Sequence, residues 1–169
     1  MDIQNIYNSI AELSREIVRE CTARSVKIST AESCTGGMIS GAVTSISGSS
    51  AVIELGVCSY SNRIKHEILH VPAEVLKQFT EYSVECAAEM AKGVMELSGA
   101  DYGVSTTGVA GPTGGSAEHP VGEVCIAVSG RNGCRSERFL FAQGSADREV
   151  IRALAAEKAL SMLLCEIKK

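Results

Sequence analysis

The chain has 169 residues, 45% hydrophobic and 21% charged, with a formal net charge of −4. That length and balance suit one soluble domain with a buried core, and the absence of a Lys/Arg excess argues against nucleic acid as the main partner. The opening Met1-Asp2-Ile3-Gln4-Asn5 lacks the basic start and apolar stretch of a signal peptide, and no apolar run is long enough to span a bilayer, so a cytoplasmic protein without a membrane partner is expected.

Residues 3 to 22 place Ile3, Ile6, Ile10, Leu13 and Ile17-Val18 at helical spacing, predicting an amphipathic helix. Val26 to Thr30 reads as a short buried strand, and Met38 to Ile46 as a helix opened by Gly36-Gly37. Ser47 to Ser50 reads as a loop. Ala51 to Tyr60 is a strand with Gly56 as a possible bulge. Ser61 or Asn62 caps a short helix to Leu69, halted by Pro72, and Ser83 caps the next, to about Leu97. Tyr102 to Thr107 is a strand. Val121 to Ser129 and Cys134 to Phe141 form a hairpin through Gly130-Arg131-Asn132-Gly133, and a last helix starts at Ser145 or Asp147 and runs to about Cys165.

Strands alternating with helices, plus one antiparallel hairpin, imply an α/β fold in which a mixed sheet carries helices on both faces, within a single domain over 1–169. Ligands in such sheets collect beyond the carboxyl ends of the strands. Ser33, Tyr60 and Thr107 each end a strand in this reading, which would gather three distant segments into one site.

Two small-residue turns follow strands directly: Thr30-Ala31-Glu32-Ser33-Cys34-Thr35-Gly36-Gly37, and Thr107-Gly108-Val109-Ala110-Gly111-Pro112-Thr113-Gly114-Gly115-Ser116. Such turns expose backbone N–H groups and hydroxyls that hold anions and amides. Neither is a Walker A loop or G-x-G-x-x-G, so ATP and NAD lose their usual support as cofactors. Lys65 lies about one helical turn past Tyr60-Ser61-Asn62. A lysine in a dry pocket beside a hydroxyl can lose its proton and act as a base, whereas a solvated surface lysine cannot. His66-Glu67-Ile68-Leu69-His70 matches H-E-x-x-H, with Glu89 at a spacing for a third ligand, which leaves a zinc hydrolase as an alternative. Arg148 either clamps a phosphate or pairs with Asp147 or Glu149 at a helix start. The seven cysteines are odd in number and contain no C-x-x-C pair, so neither a disulfide framework nor a zinc ribbon is expected. Most should be reduced core residues. Cys34, inside the first turn, is set apart, but as a nucleophile it needs an activating partner that no motif names.

Taken in order, Thr30–Gly37, Gly48-Ser49-Ser50, Tyr60-Ser61-Asn62 with Lys65, Val71-Pro72, the Gly108–Ser116 loop and Pro120-Val121-Gly122 resemble the CinA C-terminal domain family, the nicotinamide-nucleotide amidases or NMN deamidases. The resemblance runs from about residue 10 to the end, and is to the stand-alone form without the family's extra N-terminal domain. It implies a three-layer α/β/α sandwich, a homo-oligomer, and hydrolysis of nicotinamide mononucleotide to nicotinate mononucleotide and ammonia with no metal or organic cofactor. It further implies Ser50 as nucleophile, with Ser33 as the other choice. Lys65 would be the general base that returns its proton to leaving ammonia, and Tyr60 would orient the pair. Ser33, Thr107, Thr35 and the backbone of Gly36, Gly108, Gly111, Gly114 and Gly115 would hold the amide oxygen or phosphate, with Arg148 favouring the phosphate. Two positions depart from the family pattern: His70 stands where Gly usually precedes Val-Pro, and Ser47 where Pro or Ala is common before Gly48. A nucleotide-binding module without catalysis is the reading from a different class, and it predicts binding without turnover.

Overall fold

The computed structural model describes residues 2–141 and 147–169. Asp2, in extended backbone, accepts from Gln4 N and starts α1 (Ile3–Arg24), which buries Ile6, Ile10, Ile17 and Val18 along one face. Ser25 ends it in the left-handed conformation, and Val26 N still bonds back to Cys21 O at 3.0 Å. Sheet pairing therefore begins later than the sequence suggests, with β1 at Ile28–Glu32. Next come α2 (Met38–Thr44), a 3₁₀ turn (Ser49–Ala51), β2 (Ile53–Cys58), α3 (Asn62–Glu67), α4 (Ala73–Phe79) and α5 (Val84–Ser98). The chain closes with β3 (Tyr102–Gly108), β4 (Glu123–Gly130), β5 (Gly133–Leu140) and α6 (Arg148–Ile167).

The strands form one mixed sheet in the order β2-β1-β3-β4-β5. β1 pairs parallel with β2 and β3, while β4 runs antiparallel to both β3 and β5. The period of two along β4 assigns its faces: Val124, Ile126 and Val128 join the core under α1, α2 and α6, whereas Cys125 and Ala127 pack against Ala87 and Ala91 of α5. Ala31 turns to the second face, with Leu69, Val71, Met90 and Val94. The result is the expected three-layer α/β/α sandwich with a mixed sheet. The expected hairpin forms, but its two-residue turn is Arg131-Asn132, and Gly133, with φ of 100°, already pairs with Gly130.

Two local readings change. α4 has no sequence signal because none of its residues is buried, and Pro72, read as a stop, is its N-cap. The irregularity in β2 lies one position before Leu55, where the register against Ile28 and Ser29 slips, not at Gly56. The final helix is capped by Asp147, whose carboxylate accepts from Glu149 N; the alternative start at Ser145 lies outside the described residues. The close approach of α5 to the Leu69 backbone depends on Gly93, where a Cβ would sit 1.9 Å from Leu69 O. All seven cysteines are free, but Cys58, Cys134 and Cys165 are exposed, so the core accounts for Cys21, Cys34, Cys86 and Cys125 only.

Candidate active site

The parallel strands β1, β2 and β3 deliver their carboxyl ends to one edge of the sheet, and chain order reverses there, with β2 on one side of β1 and β3 on the other. The backbone continues the ladder one residue further: Ser33 N donates to Thr106 O at 2.9 Å, and Ser59 N to Glu32 O at 2.8 Å. Ser61 then caps α3 by accepting from Ile64 N, and this short helix carries Lys65 back toward β1.

Lys65 is 1% exposed. Its Nζ donates to Ser33 Oγ at 3.1 Å and to Ser59 O at 2.8 Å. Burial pushes the amine below the usual lysine range, against an opposing pull from the negative charge of Glu81. An amine that gives up its proton more readily, within reach of a hydroxyl, has the geometry of a general base beside a nucleophile. The pair opens on a cleft of about 350 Å³, within the size range of small-molecule pockets. Tyr60, Asn62, Glu81, Tyr82, Arg148 and the backbone of Gly108–Gly111 form its walls.

The turn bearing Ser33 is held from two sides. The buried carboxylate of Glu32 accepts from Thr35 Oγ1 (2.7 Å), from Gly37 N and Ile39 N (3.0 Å each) and from Ser40 N (2.8 Å), which ties β1 to the start of α2. From α6, Arg152 donates Nε to Cys34 O at 3.1 Å and Nη2 to Thr35 O at 2.7 Å. A carboxylate followed by free N–H groups at a helix start was a readable signal for the first. Nothing local marks Arg152, which lies more than a hundred positions away.

The structure brings together Ser33, Tyr60, Lys65, Gly108, Gly111, Gly114 and Arg148. It does not bring Ser50. That residue is exposed in the 3₁₀ turn before β2, at the opposite end of the strand from Tyr60 and Lys65, because a strand carries its two ends to opposite edges of the sheet. Thr35 is fully buried and spends its hydroxyl on Glu32 and Thr106, and Gly36 packs by Arg152; both support the turn and do not line the cleft. Thr107 donates to Glu81 O at 2.5 Å, fixing the segment before α5. Gly115 abuts Val121 within its own loop. Tyr60 OH accepts from Arg148 Nη2 at 3.1 Å, and Arg148 Nη1 donates to Gly111 O at 2.5 Å, so Tyr60 is coupled to the arginine and not to the Ser33–Lys65 pair. Cys34 is no rival nucleophile: burial, ahead of all else, pushes its thiol up to about 12. Glu81, Asn62 and Tyr82 are cleft residues that the sequence reading gave no role.

His66 and His70 do not share a helical face. α3 ends at Glu67, His70 has φ of 56°, and His66 Nδ1 is engaged with Val71 O at 2.8 Å. Among the described residues no three His, Cys, Asp or Glu side chains are grouped to hold a metal ion, Glu89 included. No described helix is long and apolar enough to cross a membrane.

A three-layer α/β/α protein with a buried Ser–Lys pair at the carboxyl edge of its parallel strands is the class that fold and site define. The chain belongs to the CinA C-terminal domain family, whose model matches residues 10–167. It is 46% identical over 160 residues, 94% of this chain and 95% of the relative, to nicotinamide-nucleotide amidohydrolase PncC of Enterobacter agglomerans. A CinA-like protein of Geotalea daltonii is 46% identical over 140 residues, 83% of this chain, which spans only 33% of that longer relative. Among solved structures, competence/damage inducible protein CihA from Agrobacterium tumefaciens superposes with a TM-score of 0.90 at 42% identity, covering 95% of this chain and 96% of that one. A CinA superfamily protein from Klebsiella pneumoniae superposes at 0.88 with 33% identity, over 94% and 98% of the two chains.

Proposed function

We propose that this chain is an amidohydrolase that converts nicotinamide mononucleotide to nicotinate mononucleotide and ammonia, with Ser33 as nucleophile and Lys65 as general base. The observation that carries the mechanism is the 3.1 Å contact between a buried amine and the Ser33 hydroxyl inside the cleft. The substrate is carried by the 46% identity, over nearly the whole of both chains, to a nicotinamide-nucleotide amidohydrolase.

Lys65 Nζ takes the Ser33 proton as Oγ attacks the carboxamide carbon. The tetrahedral intermediate collapses, the C–N bond breaks, and Lys65 returns the proton to the departing nitrogen as ammonia. Lys65 then deprotonates a water that attacks the Ser33 ester, and the carboxylate leaves as Ser33 regains its proton. Arg148, held by Gly111 O and Tyr60 OH at the far wall, receives the phosphate. The glycine-rich loop lines the cleft with small residues, Gly108, Ala110, Gly111 and Gly114 among them, which leaves its N–H groups room to meet the ligand.

Ammonia release from nicotinamide mononucleotide tests this directly. Ser33→Ala and Lys65→Ala should each lower kcat by about 10³-fold or more while the fold persists. Ser50→Ala should retain activity, and release should survive a chelator. Loss of activity in Ser50→Ala with retention in Ser33→Ala would reverse the nucleophile assignment.

A further inference from the structure

Besides Lys65, the cleft carries two charged side chains of opposite sign on different walls. Arg148 is bound to Gly111 O and Tyr60 OH. Glu81 is held by Asn62 Nδ2 at 3.2 Å, and its carbonyl oxygen is fixed by the Thr107 hydroxyl. Burial raises the Glu81 carboxyl, but its backbone bond, Asn62, Tyr82 and the Lys65 charge together outweigh that and hold it below the usual carboxylate range. It is therefore an anion next to the reacting pair. Tyr82 lines the cleft beside it, its ring tilted against His119 with centroids 5.4 Å apart. Burial raises the Tyr82 phenol, so it stays neutral. A carboxylate beside an aromatic ring is a receptor for a cation carried on a flat ligand.

We infer that Glu81, backed by Tyr82, reads the positive charge of a pyridinium ring, so that the cleft selects N-quaternary pyridine carboxamide nucleotides over neutral aromatic carboxamides of the same shape. The inference rests on the amidase reading above. The carboxamide carbon must reach Ser33 Oγ, which puts the ring, with its charged nitrogen, at the Ser33–Lys65 end, and Glu81 is tied there by Asn62, the first residue of the short helix that carries Lys65. The phosphate hangs from the far side of the sugar, toward Arg148. The cleft that holds Ser33 and Lys65 thus carries one group for each charge of the substrate, Glu81 for the cation and Arg148 for the dianion. An ordinary phosphate site has no use for a fixed carboxylate in its wall, since like charges repel. A ligand that carries both signs makes sense of the pairing.

The test compares nicotinamide mononucleotide with benzamide C-ribonucleotide, in which an uncharged ring carbon replaces the quaternary nitrogen. The readout is the KI of the neutral nucleotide, as a competitor, divided by the KM of the charged one. The wild-type ratio should be about tenfold or more, and Glu81→Gln should bring it to within about threefold of unity, mostly through KM. Glu81→Asp, which keeps the charge, should retain most of the wild-type ratio, and Glu81→Ala takes the place of the neutral variant if Glu81→Gln does not fold. A neutral nucleotide that competes as tightly as the substrate binds in wild type, or a ratio unchanged in the neutral variant, would overturn the assignment of Glu81. Absence of ammonia release from folded wild-type protein overturns instead the amidase reading on which it rests.

Discussion

A lysine amine that is 1% exposed and, among the described residues, donates to a hydroxyl and a carbonyl oxygen is costly to keep charged. Its folded-state pKa is therefore below the ordinary 10.5. Between that lowered value and 10.5 the unfolded chain binds more protons than the folded one, so stability rises with pH across this window. Below the window the full cost of burying a charged amine is present. Lys65→Met should accordingly be inactive yet melt at a higher temperature than wild type at neutral pH, with the difference shrinking as pH approaches 10.5. In wild type, ammonia release should rise with pH as Lys65 loses its proton. Thermal melts at several pH values check the first statement and a pH–rate profile the second. A melting difference that ignores pH would mean that the amine is not the group being titrated. The same reasoning separates the thiol from the hydroxyl: burial pushes the Cys34 thiol up to about 12, which disfavours its thiolate at neutral pH, whereas the Ser33 hydroxyl is in contact with the Lys65 amine.

At the scale of elements, α3 is where a motif and its geometry part. H-E-x-x-H binds zinc only when a helix puts both histidines on one face, and α3 ends at Glu67, before the second histidine arrives. Residue 70 instead takes φ of 56°, the left-handed region in which a Cβ is strained and glycine is free. A glycine would adopt this conformation freely, whereas His70 bears its strain. His70→Gly should raise stability by about 1 kcal/mol, or roughly 2–4 °C in melting temperature, with activity retained because His70 is exposed and outside the cleft walls. Unchanged melting would mean that the His70 side chain has contacts offsetting its strain. Elements with a cap were legible, as Ser61 and Ser83 illustrate, each accepting from a helix-start N–H. α4 was not, since it buries nothing and so imposes no hydrophobic period.

At the scale of the whole molecule, the cleft exists only because three parallel strands end at one edge while α3, the α4–α5 connection and α6 bring Lys65, Glu81 and Arg148 to it. A ligand bridging these segments stabilises all of them together. Nicotinate mononucleotide at about 100 times its Kd should add about 2.7 kcal/mol, a rise of roughly 5–10 °C in melting temperature. Arg148→Ala should lose most of that rise, while free nicotinate should give little in either protein. Equal shifts in wild type and Arg148→Ala would remove Arg148 from phosphate binding.

The amino-acid sequence alone determined what is set by neighbours along the chain: the amphipathic helices and their caps, the β4–β5 hairpin, the alternation that calls for a covered mixed sheet, and the small-residue turns after β1 and β3. Those depend on backbone preferences and hydrophobic period, which act over a few residues. Which serine meets Lys65 was not of that kind. Ser50 and Ser33 stand in equally suggestive loops, but one precedes β2 and the other follows β1, and parallel pairing sends them to opposite edges of the sheet. Only the tertiary structure could put Ser33 against Lys65, give Glu32 and Arg152 their hold on its turn, and bring Glu81 and Arg148 into one cleft, because every one of those relations is made between side chains or turns whose meeting is fixed by strand order and burial.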